Sequence, residues 1–131
     1  MNIPMIVAGS LAIVGAAIHG VAGEVLVVRG LSPAMLPPSR FGGPRATKTM
    51  IHATWHMTTI AFLTVGFALL LAGSVLHGDT ARALGLLAAG ASTGVAAVAV
   101  GLGASPRSLL RHPGPAVLTA TAVLAWWGAL W

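Results

Sequence analysis

The sequence predicts an all-α polytopic membrane protein, a compact bundle of four transmembrane helices, and composition, run length and charge placement carry that expectation. Of 131 residues, 56% are apolar and 7% charged, where an ordinary soluble domain has roughly a quarter charged. Mean hydropathy is +0.91. The apolar residues gather into runs at 3–28, 50–76, 83–104 and 116–131. At about 1.5 Å per residue, such runs are of the length that crosses a hydrocarbon core of about 30 Å. They make a single integral membrane domain over 1–131, with no soluble domain beside it.

The first run holds His19 and Glu24 as its strongly polar members. It lacks the basic leader and A-x-A cleavage site of a signal peptide, so it is expected to remain in the mature chain. The connection that follows, VRGLSPAMLPPSRFGGPRATK, contains Pro33, Pro37, Pro38, Gly42, Gly43 and Pro44, which prevent a continuous helix. It is either a spacer at the headgroups or a lid over the inner mouth. The second span carries HATWH, and a short polar connection, HGDTAR, leads into the third. Pro106, Pro113 and Pro115 bracket a second hairpin, with Pro115 near the first turn of the last span. Trp126, Trp127 and Trp131 close that span, where indole rings favour either the interface or helix contacts.

Charge placement sets the orientation. Arg29, Arg40, Arg45 and Lys48 lie in the first connection and Arg107 and Arg111 in the third, while the second has Arg82 opposed by Asp79. Connections one and three are therefore expected inside and both termini outside, in a bacterial cytoplasmic (inner) membrane. The basic residues sit between apolar runs rather than along a stripe, so the net charge of +5 does not indicate nucleic acid. The absence of cysteine excludes disulfides, thiolate metal sites and cysteine nucleophiles.

Small residues are expected to pack the helices. Ala8, Ala12, Gly15, Ala16, His19 and Gly23 share one side of span one, and Ala81, Gly85, Ala89, Thr93, Ala97 and Gly101 recur at four-residue steps in span three. Lipid, and either further copies of the chain or a membrane complex, are the expected partners. The two halves resemble each other only in outline, which weighs against a duplicated transporter.

The chemistry is expected on the inner side. His52 and His56 are four residues apart and share a helix face, with Thr49 and Thr59 close to it. Without HExxH, the pair does not indicate a zinc protease. His19 and His56 lie at about the same depth, about 12–13 Å from the inner boundary, so they are candidate axial ligands of a noncovalent haem b. Glu24, level with His52, needs a partner in hydrocarbon: His52, Arg29, a metal or a proton. His112 precedes the last span on the same side, whereas His77 falls on the opposite side. His19, Glu24, His52, His56 and His112 thus form a candidate set for a non-haem transition metal (iron, copper or zinc), and His19 with His56 for haem.

The leading expectation is an integral-membrane metal or haem protein, acting as a redox or electron-transfer subunit. The alternatives are a noncatalytic oligomeric membrane protein and a small proton or metal transporter. No Ser-His-Asp arrangement, P-loop, dinucleotide fingerprint or EF-hand pattern offers another chemistry.

Overall fold

The computed structural model describes residues 1–40, 42–102 and 112–131, and within them the chain is helical with no strand. Helix α1 runs Ile3–Ala17 and continues through two π-helical segments, Ile18–Ala22 and Glu24–Val28. Helix α2 is Pro44–Ser74, α3 is Gly78–Leu102 and α4 is Pro113–Leu130. Four helical stretches, of 26, 31, 25 and 18 residues, are long and apolar enough to span a membrane, matching the expected runs in number and order. The expected end of span three at Ala104, and Pro106, Arg107 and Arg111, lie outside the described residues.

After the first, the helices begin earlier than the apolar runs, at Pro44, Gly78 and Pro113. Pro44 opens α2 where its missing N–H costs nothing, so Arg45 and Lys48 stand on that helix rather than in the connection. HGDTAR is likewise not a polar loop: Gly78, at φ +60°, turns the chain and Asp79 sits in the first turn of α3. A carboxylate there complements the helix dipole, which a search for apolar runs does not register. The first connection is irregular as expected, with a short 3-10 turn at Pro33–Met35 and a bond from Thr47 Oγ1 to the Pro37 carbonyl at 2.9 Å.

The chain divides into two compact units. One comprises Met1–Gly15 and Leu63–Trp131. Its core is Met5, Ala8, Leu69, Ala72, Ala88, Ala89, Ala125 and Ala129. Alanine dominates because the helices pack backbone to backbone: a Cβ on Gly9 would lie 2.7 Å from the Gly66 carbonyl oxygen. Such close approach gives the helices extensive dispersion contacts. Asn2 caps α1, accepting from the Met5 N–H at 3.2 Å while its Nδ2 donates to the Gly128 carbonyl at 2.7 Å. Trp126 is a helix contact, donating from Nε1 to Thr93 Oγ1 at 2.8 Å.

The small-residue ladders hold in part. Ala8, Ala12 and Ala16 are buried, but nothing lies within 4 Å of a Cβ on Gly15. On α3 the buried face is Gly85, Ala88, Ala89, Ser92 and Ala96, and Thr93, Ala97 and Gly101 are exposed. Each four-residue step advances about 40° around a helix, so an unbroken series drifts off the face that alternating steps of three and four would keep.

The second unit, Ala16–Phe62, consists of the π-helical continuation of α1, the first connection and the N-terminal half of α2. It contains His19, Glu24, His52 and His56.

Candidate metal centre

Helix α2 positions the imidazoles simply. His52 and His56, one turn apart, turn to the same side with ring centroids 4.9 Å apart. The carboxylate comes from the second π segment, whose i→i+5 bonding alters which side chains coincide. In an α-helix, residues 24 and 29 would stand about 140° apart. Here Arg29 N bonds the Glu24 carbonyl at 3.0 Å, and Arg29 Nε donates to Glu24 Oε1 at 3.4 Å. The other carboxylate oxygen then faces α2.

Glu24 Oε2 lies 3.1 Å from His52 Nε2 and 3.4 Å from His56 Nε2. Neither contact has hydrogen-bond geometry, and Oε2 is a buried acceptor with no hydrogen bond. Two donors each about 2.1 Å from one ion, at angles of about 90–110°, stand about 3.0–3.4 Å apart. The three donor atoms all lie within 4.8 Å of one another, a group that could hold a metal ion once the side chains draw in to ligand distances. The Glu24 side chain is 14% exposed, and those of His52 and His56 are 47% and 46% exposed. The carboxylate is therefore sheltered while the imidazole side is open.

His19 is held in an adjoining polar network. Its ring stacks on Trp55 with centroids 4.3 Å apart and planes 10° from parallel, and Phe62 meets it edge-on at 5.4 Å. Its Nδ1 is 2.9 Å from Thr59 Oγ1. The Thr59 hydroxyl is also 3.2 Å from the Trp55 carbonyl, and when it donates there, His19 Nδ1 is the donor to Thr59. Trp55 Nε1 in turn donates to the His19 carbonyl at 3.0 Å. An α-helix would give that carbonyl to the Gly23 N–H, but Gly23 N bonds Ile18 instead. A side-chain donor entering the ladder is a recognised origin of such departures from α geometry.

Gly20 and Gly23 permit this approach. A Cβ on Gly20 would meet Thr59 Cγ2 at 2.7 Å, and one on Gly23 would overlap Trp55 Cζ2 while lying 3.0 Å from Cε2. The two glycines thus seat Thr59 and Trp55 and fix where the next residue, Glu24, begins its π turn.

Of the five residues expected to form a site, the structure brings Glu24, His52 and His56 into one set. His19 belongs to the Trp55–Thr59 network, and His112 is an exposed residue at the N-cap of α4. His77 is exposed in the turn between α2 and α3. Trp55 has a positioning part that spacing alone does not reveal. The available signal is chemical: an indole N–H in an apolar span requires an acceptor, and the Gly20–Gly23 pair offers a place for one. No family model, curated protein or solved structure matches this chain.

Proposed function

We propose that this chain is an integral-membrane protein that binds a divalent transition metal through Glu24 Oε2, His52 Nε2 and His56 Nε2. The four long apolar helices support insertion, and the basic residues of connections one and three favour the inner side for those connections and the outer side for both termini. The observation that carries the metal reading is the buried Glu24 Oε2, which accepts no hydrogen bond yet has two imidazole nitrogens at 3.1 and 3.4 Å, within ion-pair distance of either ring when protonated. Two histidines and one carboxylate leave at least one coordination position open, the ligand set of catalytic zinc and of non-haem iron(II). The haem reading gains nothing from this set, which joins His56 to Glu24 and His52 rather than to His19.

Equilibrium dialysis of the purified protein against cobalt(II), a spectroscopic substitute for zinc or iron(II), tests the proposal. One ion per chain in the wild type and loss of binding in Glu24→Gln are expected. Wild-type and Glu24→Gln proteins that bind equally, or not at all, would reject it.

Self-association is a second reading with its own support. Gly90 and Gly94 form a GxxxG step on α3, both are exposed, and a Cβ on either meets nothing within 4 Å. Such a surface suits close packing of another helix in lipid.

A further inference from the structure

We propose that the open side of the metal centre takes an oxyanion, a phosphate or carboxylate group that coordinates the metal and pairs with Arg29. The proposal rests on the metal reading and identifies what completes it. A divalent ion held by one carboxylate and two neutral imidazoles leaves one uncompensated positive charge, and Arg29, 3.4 Å from Glu24 Oε1, adds another. Within the unit that holds the site, residues 16–62, Glu24 is the one acidic residue.

Arg29 meets Glu24 Oε1 through Nε, and its side chain is 71% exposed, so its two Nη groups offer an accessible donor pair at the same carboxylate that the half-exposed imidazoles approach. Guanidinium presents paired donors that match phosphate and carboxylate oxygens. Lys48 and Arg45, four and seven residues before His52, lie on the histidine face of α2 toward its N-terminus. This cationic approach favours anions and disfavours free metal ions, which makes a resident metal with an exchangeable anionic ligand a better match than a conduit for bare cations.

The test is titration of cobalt-loaded protein in detergent with inorganic phosphate, monitored by the cobalt d–d bands. Saturable spectral change is expected in the wild type. Arg29→Gln, loaded at cobalt concentrations that restore occupancy, binds phosphate at least about tenfold more weakly, as expected for loss of a charge-assisted hydrogen bond, while Arg29→Lys keeps an intermediate affinity. The same titration in nanodiscs separates sources of the oxyanion. If a lipid phosphate is the natural occupant, the spectrum with phosphatidic acid is already shifted and inorganic phosphate changes it little; with phosphatidylcholine alone the titration proceeds as in detergent. Cobalt bands that phosphate leaves unchanged, or changes equally in wild type and Arg29→Gln, overturn the oxyanion proposal and leave the metal reading intact. Failure to develop cobalt bands at all overturns both.

Discussion

Replacing Gly23 by alanine perturbs the feature that joins the π segment to α2. The new methyl would overlap Trp55 Cζ2 and lie 3.0 Å from Cε2 and 3.2 Å from Nε1. Ordinary carbon contacts are about 3.5–4.0 Å, so the indole must move by about 1 Å. The same movement takes Trp55 Nε1 away from the His19 carbonyl, now 3.0 Å distant. Overpacking costs about 1–3 kcal/mol and the lost interhelical bond about 0.6 kcal/mol, offset by a gain of about 0.5–1 kcal/mol from replacing a helical glycine. The expected net loss is about 1–3 kcal/mol, or ~5- to 150-fold in the unfolding equilibrium. Because Glu24 is the next residue, cobalt affinity should fall by about tenfold or more, the usual scale for disturbing a ligand's support. Equilibrium unfolding in mixed micelles with rising dodecyl sulfate measures the first quantity. In a Trp55→Ala background the clash is gone and Gly23→Ala should be neutral or stabilising. Gly15→Ala, where nothing lies within 4 Å, is the control and should not destabilise. A Gly23→Ala protein as stable as the wild type, or equally destabilised with and without the Trp55 indole, would refute this reasoning.

Three further outcomes are expected. His52→Ala and His56→Ala each lower cobalt affinity by more than the ~10- to 100-fold typical of outer-shell changes, whereas His77→Ala and His112→Ala leave it unchanged in equilibrium dialysis. Trp126→Phe removes the 2.8 Å bond to Thr93 Oγ1 and lowers stability by about 0.6–1.7 kcal/mol in the same unfolding assay. If α3 mediates self-association, Gly90→Leu with Gly94→Leu shifts the detergent-solubilised protein to monomer by analytical ultracentrifugation, with cobalt binding retained.

The number and order of the helices were legible because the apolar runs are long and their composition is unambiguous. Their ends were less so: Asp79 and Arg45 are polar yet helical, since dipole complementarity and a proline at the first turn favour helix where hydropathy falls. The i, i+4 pair His52–His56 and the need of Glu24 for a partner were also readable, and both His52 and Arg29 are among its partners. A uniform α-helical wheel fails at the π segments, because it places Arg29 about 140° from Glu24 and cannot register the i→i+5 bond that joins them. The contacts of His19 with Thr59 and Trp55 were not legible, because they depend on the space that Gly20 and Gly23 leave.

X-ray absorption at the metal edge of stoichiometrically zinc-loaded protein reads the proposed ligand set directly. Imidazole scattering from two histidines, with oxygen and nitrogen donors at about 2.0–2.2 Å, is expected in the wild type, falling to one imidazole in His52→Ala or His56→Ala at metal concentrations that restore occupancy. A wild-type first shell without imidazole, or one unchanged in both variants, would contradict metal binding by Glu24, His52 and His56.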